Sequence, residues 1–321
     1  MNSKLILFVL TFFVFIIASK AQNCKDLLEA VSENKESTTK LLLKTVNPNC
    51  SYDGILQPRT PLGMAVKNEN ILLAKLLIDH KAKVSYRYHR DASALMIAAG
   101  NGDYEFVKFL IEHKADVNEK VQGDGTPLIA AVRGNNTEVV KLLLDKGAHP
   151  NTSVKGDGNP MIVASAKGNY DILKLLLAYG ANLDQKSLGD GTSLIRAAAK
   201  GNLGLVKFLV ENGASINKAS EGDGNPLIQA ARNGHLEVVT YLVANGADVN
   251  AYVVGDETPL IRAAWSGHLD VVKYLVENGA SVNKTVRESY KLISEKRNAL
   301  KMAKRANRQE VVQYLISKGA H

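Results

Sequence analysis

The stretch Gly123–Ile129, GDGTPLI, returns four times along the chain at a pitch of 33 residues. The altered copies are GDGNPMI from Gly156, GDGTSLI from Gly189, GDGNPLI from Gly222 and GDETPLI from Gly255. A fixed pitch of this size indicates one structural unit repeated along a stack, because a small unit cannot bury its apolar face alone. The 321 residues therefore predict one repeat array rather than two or three unrelated domains.

Each repeat contains a helix-capping residue followed by two short apolar segments. The capping candidates, 33 residues apart except for a last gap of 40, are Thr60, Ser93, Thr126, Asn159, Thr192, Asn225, Thr258 and Asn298. After Asn225, PLIQAARNG starts with Pro at the first helical position, where its missing N–H is harmless. The next segment, HLEVVTYLVANGA, stops at Gly246, a typical helix-ending residue. Each repeat is therefore predicted to be a helix pair with a tight turn.

These residues resemble the ankyrin repeat family. The resemblance rests on TPL at Thr60, Thr126 and Thr258, on GHLEVV at Gly234 and on GHLDVVKYLVENGASVN from Gly267. It covers eight units from about Thr60 to the C terminus, with residues 26–48 as a degenerate ninth. The resemblance implies an all-α solenoid of about nine helix pairs with short β-hairpin fingers, and a binding role without catalysis.

The chain departs from the family pattern in two ways. Where the family usually has His after TPL, this chain has apolar residues, so we expect a polar contact to be exchanged for apolar packing: Met96, Ile129, Ile162, Ile195, Ile228 and Ile261. The finger tips also carry aspartates beside their glycines, at Asp124, Asp157, Asp190, Asp223 and Asp256. Gly permits positive φ and Asp closes Asx turns, which favours tight tips. Calcium is disfavoured, since it needs oxygens at about 2.3–2.6 Å and stacked helices stand roughly 8–10 Å apart.

The N terminus has the pattern of an export signal. Lys4 precedes the apolar run LILFVLTFFVFIIA, and the small-x-small pattern Ser19-Lys20-Ala21 predicts cleavage after Ala21. The run has 14 residues, short of the roughly 20 that a membrane-spanning helix needs, so we expect no membrane span after cleavage. Removing Lys4 and Lys20 takes the formal charge from +8 to +6 (8 − 2). The protein is expected to be secreted or periplasmic.

These patterns give a domain plan. Residues 1–21 are the signal peptide and residues 22–321 the repeat array. Within the array we expect a degenerate capping unit at about 24–50, repeats at about 51–283 and a C-terminal capping unit with a longer finger at 284–321. A polar terminal unit is expected, since its outer face has no neighbour. The long finger, which contains Tyr290, is alternatively a recognition element.

The chain has two cysteines, Cys24 and Cys50, on either side of a predicted helix hairpin. An oxidising compartment would let them form a disulfide, and two free buried thiols are the alternative. Four asparagines fit N-x-Ser/Thr, which matters only where secreted proteins are glycosylated: Asn49, Asn135, Asn151 and Asn283.

The sequence predicts no catalytic residues, no metal and no cofactor. Its seven histidines form no HExxH pair, and His235 and His268 are expected to act at helix starts. No GxSxG, Walker loop or CxxC is present, and two sulfurs are too few for a zinc site. We therefore expect a protein that is not an enzyme. An enzyme site in the finger Lys284–Arg297 is the remaining alternative of that class, with no set of reactive groups to support it.

The first helices predict a binding surface. Positions four, seven and eight after each cap share one helix face, which the family resemblance places along a concave groove. Eight of these twenty-four positions are Lys or Arg and none is acidic. The residues expected to bind a partner are Arg133, Lys167, Arg196, Lys200, Arg232, Arg262 and Trp265. An ordinary solvated helix face is the plain alternative.

The expected partner is a protein with an acidic segment, bound by a monomeric array. Trp265 is the only tryptophan, and beside Arg232 and Arg262 it has the composition of an interface hot spot, although burial against the next repeat is the competing interpretation. A polyanion or an anionic surface is the alternative ligand of the same basic groove, with nucleic acid disfavoured as the partner.

Overall fold

The computed structural model describes residues 23–53, 58–89, 91–187, 191–253, 257–287 and 296–321. The signal peptide predicted at residues 1–21 and its cleavage site lie outside these ranges. The chain forms two compact units, the first ending at Asp157 and the second running from Gly158 to His321. Both units are built from helix pairs, which confirms the predicted all-α repeat fold.

The helices of the first unit are α1 (residues 23–32), α2 (Glu36–Leu42), α3 (Pro61–Lys67), α4 (Ile71–Asp79), α5 (Ala94–Asn101), α6 (Tyr104–Glu112), α7 (Pro127–Arg133) and α8 (Thr137–Asp145). The helices of the second unit are α9 (Pro160–Lys167), α10 (Tyr170–Ala178), α11 (Ser193–Ala199), α12 (Leu203–Glu211), α13 (Pro226–Arg232), α14 (Leu236–Ala244), α15 (Pro259–Ser266), α16 (Leu269–Glu277), α17 (Ala299–Arg305) and α18 (Gln309–Ser317). From α3 onward, the first helix of each pair packs on its own second helix. Within a unit, first helices also pack on neighbouring first helices, as α5 does on α7, and second helices on neighbouring second helices, as α6 does on α8.

The eight predicted caps all begin their helices in the same way. At each, the side-chain oxygen accepts a hydrogen bond from the backbone N–H three residues later, as between Thr126 and Ile129 at 3.1 Å. The other seven caps are Thr60, Ser93, Asn159, Thr192, Asn225, Thr258 and Asn298. Such a bond satisfies one of the N–H groups that a helix start leaves without a partner.

The hydrophobic core of each unit lies along the first helices of its helix pairs. All six apolar residues in the place of the usual family His are buried, as expected for apolar packing. Leu128 and Ile129 illustrate the arrangement, since both side chains are fully enclosed between α7 and its neighbours. Burying one such side chain contributes about 1.5–3 kcal/mol, so the stacked apolar layers supply most of the stability.

The finger tips are shorter than β-hairpins. In the described ranges, only β1 (Val286–Arg287) and β2 (Lys296–Arg297) pair as strands, antiparallel with Val286 opposite Arg297. Other tips close through a single bridge, as between Val121 and Gly125, Ser187 and Gly191, and Ser220 and Gly224. Gly125 is followed at once by the cap Thr126, so the returning arm becomes helical before a second pair of residues can form.

Asparagines at the finger bases join successive repeats. The Nδ2 of Asn250 donates to the carbonyl of Gly279 at 2.9 Å, and its Oδ1 accepts from the N–H of Ser281 at 2.8 Å. The amides of Asn49, Asn118, Asn217 and Asn283 bond to the next repeat in the same way. An N-linked glycan at Asn49 or Asn283 would replace one of the two hydrogens on the amide nitrogen that donates here.

The two cysteines form a disulfide at the start of the first unit. The Cα atoms of Cys24 and Cys50 are 5.9 Å apart, within the ordinary range for this bond, and Cys24 is buried. The bond joins α1 to the segment after α2. None of the helices that the structure describes from residue 23 onward combines the length and apolar character that a membrane crossing requires.

Candidate functional site

The predicted binding residues lie at the ends of first helices. Of the three columns of positions, the one four residues after the cap is buried or half-buried, while the positions seven and eight residues after the cap are half-buried or exposed. Lys167, Lys200, Arg232 and Trp265 are all exposed, whereas Arg196 and Arg262 are half-buried. We call the six residues Lys167, Arg196, Lys200, Arg232, Arg262 and Trp265 of the second unit the basic surface.

Three cations of the basic surface line one cavity. Lys167, Arg196 and Lys200 surround a space of about 260 Å³ between the end of α9, α11 and the start of α12. Ser165 and Asn202 also contribute to its walls. The spacing in the sequence predicted that these cations share a face, but not that they line a common cavity.

Arg232 lies exposed at the end of α13. Its backbone carbonyl faces the Nε2 of His268 at 3.2 Å. Among the described residues, no carboxylate lies within salt-bridge distance of Lys167, Lys200 or Arg232. These three positive charges are therefore available to an anionic ligand.

Arg262 differs from the other cations because it pairs with a buried acid. Its Nε lies 3.7 Å from Oε2 of Glu257, and Nη1 of Arg297 lies 3.0 Å from Oε1 of the same carboxylate. Glu257 is only 5% exposed. The two guanidinium groups compensate the buried carboxylate, and Arg297 thereby ties strand β2 to the residue before the cap of α15.

Trp265 is exposed rather than buried against the following repeat. Its relative exposure is 42%, and it borders a cavity of about 430 Å³ together with Arg262, Arg297 and Arg305. Buried Met302 forms an apolar part of the same wall. Trp265 therefore has the exposure that a binding role needs.

Arg133 belongs to the first unit and is engaged by a finger tip. Its Nη2 lies 2.9 Å from Oδ1 of Asp157, whose Oδ2 accepts from the N–H of Gly123 at 3.0 Å. The tip aspartate thus reaches back to the preceding finger instead of only closing its own turn. Burial, and then the negative charge of Asp157, raises the pKa of Asp124 in this row. Asp190 and Asp256 lie outside the described residues.

The histidines after glycine join repeats instead of capping helices. His235 and His268 precede α14 and α16, but neither side chain makes a capping hydrogen bond. The Nε2 of His235 faces the carbonyl of Ala199 at 3.0 Å, at the end of the preceding first helix. The spacing predicted the position of these residues at helix starts, but their partners belong to another repeat.

The described residues contain no cluster of three or more His, Cys, Asp or Glu side chains that could hold a metal. Most of the long C-terminal finger, Tyr290 included, lies outside the described ranges. The described parts of that finger are residues 284–287 and 296–297, and Arg297 among them is held by Glu257.

Helix pairs stacked with a pitch of 33 residues and joined by short fingers define a class of repeat proteins whose surfaces serve recognition. A family model for ankyrin repeats, in sets of three copies, matches residues 27–121, 95–187, 194–286 and 256–321. The chain therefore belongs to the ankyrin repeat family.

A solved structure supports the same assignment. The crystal structure of the human ASB11 ankyrin repeat domain matches with a TM-score of 0.58 and 25% sequence identity. The match covers 72% of this chain and 99% of that domain. Ankyrin repeat proteins are typically scaffolds for protein–protein interaction without enzymatic activity.

Proposed function

We propose that this protein is an exported scaffold that binds an acidic segment of a partner protein through the basic surface, with Trp265 as the anchor. The observation that carries the proposal is the exposure of Trp265 beside a cavity of about 430 Å³. Exposed tryptophan and arginine are the residue types most enriched among binding hot spots. The function therefore rests on recognition rather than on chemistry.

The charges around Trp265 favour an acidic ligand. The cavity walls carry the guanidinium groups of Arg262, Arg297 and Arg305 and the single carboxylate of Glu257, a formal balance of +2 (3 − 1). Met302 and the indole of Trp265 add apolar surface. A segment that alternates acidic and apolar side chains would satisfy both parts, because Arg pairs with carboxylates and apolar groups cover the indole.

The test is capture of the partner from the exported fraction with the purified chain and two single variants. We expect Trp265→Ala to weaken capture by tenfold or more, the usual scale of a hot-spot truncation. Arg232→Glu should weaken capture through charge reversal. Arg262→Glu is a poor probe, because it would place a second carboxylate beside buried Glu257 and destabilise the fold.

Lys174→Glu is the matched control. Lys174 is an exposed lysine on the second helix α10, and reversing its charge changes the net charge as much as Arg232→Glu does. Capture should be unaffected by this control. Equal capture by Trp265→Ala and the unaltered chain would remove Trp265 as the anchor, and equal capture by Arg232→Glu as well would remove the basic surface from consideration.

The exposed charges of Lys167, Lys200 and Arg232 form no salt bridge among the described residues, and they favour a polyanion as the second candidate ligand. Salt distinguishes the two candidates. Polyanion binding releases counterions and should fall steeply between about 50 and 200 mM salt, whereas a contact anchored by Trp265 should weaken only moderately. A titration of the captured ligand over this range decides between them.

Export is supported by residues 1–21 and by the disulfide, which is typical of oxidising compartments. We expect the mature protein to be secreted or periplasmic and to begin at Gln22. N-terminal sequencing of the exported protein tests the cleavage site. Light scattering on the same sample should give the mass of a monomer.

A further inference from the structure

The contact between α9 and α11 is more open than the contacts between the other first helices of the second unit. In the three later repeats, the residue before the second helix reaches back to the preceding first helix, as His235 does to the carbonyl of Ala199 at 3.0 Å; His268 and Arg308 do the same. At the equivalent position, Asn202 accepts from the N–H of Leu205 at 3.0 Å, and its Nδ2 makes no hydrogen bond among the described residues. The helices α9 and α11 also pack less closely than α11 and α13.

The glycine that follows each of these first helices shows the same difference between the α9–α11 contact and the later contacts. A Cβ atom built on Gly201 would lie 2.5 Å from the imidazole Nδ1 of His235, and one on Gly234 would lie 2.5 Å from that of His268. A Cβ on Gly168 would meet nothing within 4 Å. The space that a side chain fills in the later repeats is therefore open beside Gly168, and it forms part of the cavity of about 260 Å³.

Ser165, one of the residues that line this cavity, has a buried hydroxyl without a hydrogen-bond partner among the described residues. Ser165 is only 7% exposed, and among the described residues nothing bonds to its Oγ. Leaving a buried hydroxyl unsatisfied costs about 1–3 kcal/mol, so such a group calls for a ligand or water. The equivalent position is alanine in four other repeats: Ala99, Ala198, Ala231 and Ala264.

Five of the nine residues that line the cavity have side-chain hydrogen-bond donors. The ammonium groups of Lys167 and Lys200 carry no ion pair among the described residues, and the guanidinium of Arg196 adds a third cation. The hydroxyl of Ser165 and the amide of Asn202 add neutral donors. Cations held together around one cavity repel each other unless an anion lies between them.

From this arrangement we infer that the cavity between α9 and α11 binds a tetrahedral oxyanion, of the phosphate or sulfate type. Three or four terminal oxygens match the donors supplied by Ser165, Lys167, Lys200 and Asn202 better than the two oxygens of a carboxylate do. The volume lies below the range of about 300–1,000 Å³ that is usual for drug-sized ligands, which favours a single headgroup. The inference rests on the proposed function, because it assigns an anionic group to the same basic surface.

Calorimetric titration of the full mature chain with inorganic phosphate tests the inference, with chloride balancing the ionic strength. We expect a dissociation constant of about 1 mM or tighter, within reach of about three charge-assisted hydrogen bonds. Acetate should bind at least tenfold more weakly. Absence of phosphate binding, or equal binding of acetate, would overturn the inference.

Ser165→Ala is the decisive variant. It introduces the residue that four other repeats have at this position, so the fold should be retained. It should lower phosphate affinity about tenfold, as should Lys167→Gln and Lys200→Gln. Lys174→Gln removes the same charge on α10 and should leave the affinity unchanged. Equal phosphate affinity in Ser165→Ala and the unaltered chain would show that the cavity is not the site.

A phosphoserine amide probe identifies the source of the oxyanion. Binding as tight as that of inorganic phosphate would indicate a monoester carried by a partner, since the side at Gly168 is open to solvent-borne groups. Binding of inorganic phosphate alone would indicate a free ion. Partner capture that depends on Trp265, without any phosphate binding, would leave the proposed function standing and remove only this inference.

Discussion

Gly234 occupies a position where the backbone is left-handed and where there is no room for a side chain. Its φ of +76° lies in the left-handed region, and a Cβ there would fall 2.5 Å from the imidazole of His268 in the next repeat. Gly246 has a φ of +91° but open space where its Cβ would be. Substitutions at the two glycines therefore distinguish the cost of a left-handed backbone from the cost of a steric clash.

Gly234→Ala should be more destabilising than Gly246→Ala. Left-handed backbone alone costs an alanine about 1–2 kcal/mol, so both variants lose that amount. At Gly234 the displaced imidazole also loses its contact with the carbonyl of Arg232, adding about 1 kcal/mol. Urea unfolding of the two variants measures the difference, and equal losses would contradict the proposed inter-repeat role of His268.

Glu119 shows how burial changes the titration of a single side chain. Desolvation raises its pKa above the ordinary value of about 4.5, against the opposing effects of the hydrogen bond from Ser93 and the charge of Arg87. The nearby charge of Asp116 raises it further. Because the folded state holds this proton more tightly than the unfolded state does, ionisation of Glu119 lowers stability.

Glu119→Gln should remove that pH dependence. Below the ordinary pKa the group is protonated in both states and contributes no difference, whereas stability falls as pH rises through the raised pKa of the folded state. The glutamine keeps an oxygen that accepts from Ser93 but never ionises. Unfolding free energies of both proteins from pH 4 to pH 7 should diverge in favour of the variant. A constant difference across this range would show that the pKa of Glu119 is not raised.

At the scale of the helix, the cap is the feature that fixes where each element begins. Thr126→Ala should lower the free energy of unfolding by about 1 kcal/mol, because the N–H of Ile129 loses its acceptor in a buried setting. Thr126→Ser retains the oxygen and should recover most of the loss. Thermal unfolding of the pair checks this expectation, and equal melting temperatures for the alanine and serine variants would show that the hydroxyl is not needed.

The helix pairs were predictable because their signals are local. A cap, a Pro at the first turn and a Gly at the end lie within one repeat, so Asn225 to Gly246 could be interpreted without the rest of the chain. The partners of Asp157, His235 and Glu257 could not, because each contacts a residue 24 to 40 positions away whose approach depends on packing. The cavity beside Ser165 was also beyond sequence reasoning, since it reflects a contact that Asn202 does not make.

At the scale of the molecule, the N-terminal helix pair packs, among the described residues of the first unit, against one neighbouring pair. In a repeat array, such an end pair receives one interface instead of two, so it is expected to open first. It is held by the disulfide between Cys24 and Cys50 and by the amide of Asn68, which donates to the carbonyl of Ser32 at 2.9 Å. Asn49, next to Cys50, also bonds the carbonyl of Lys81 at 2.9 Å.

Replacing both cysteines by serine should therefore loosen the end pair more than the rest of the first unit. The bond joins residues 26 positions apart, and closing a loop of that size restricts the unfolded chain by roughly 3.5 kcal/mol on the chain-entropy account. Hydrogen exchange should accelerate in α1 and α2, while α5 to α8 keep their protection, since Asn49 still ties the finger base to the following repeat. Equal acceleration from α1 to α8 would mean that the first unit opens as a whole, and unchanged exchange in α1 would mean that packing alone holds the end pair.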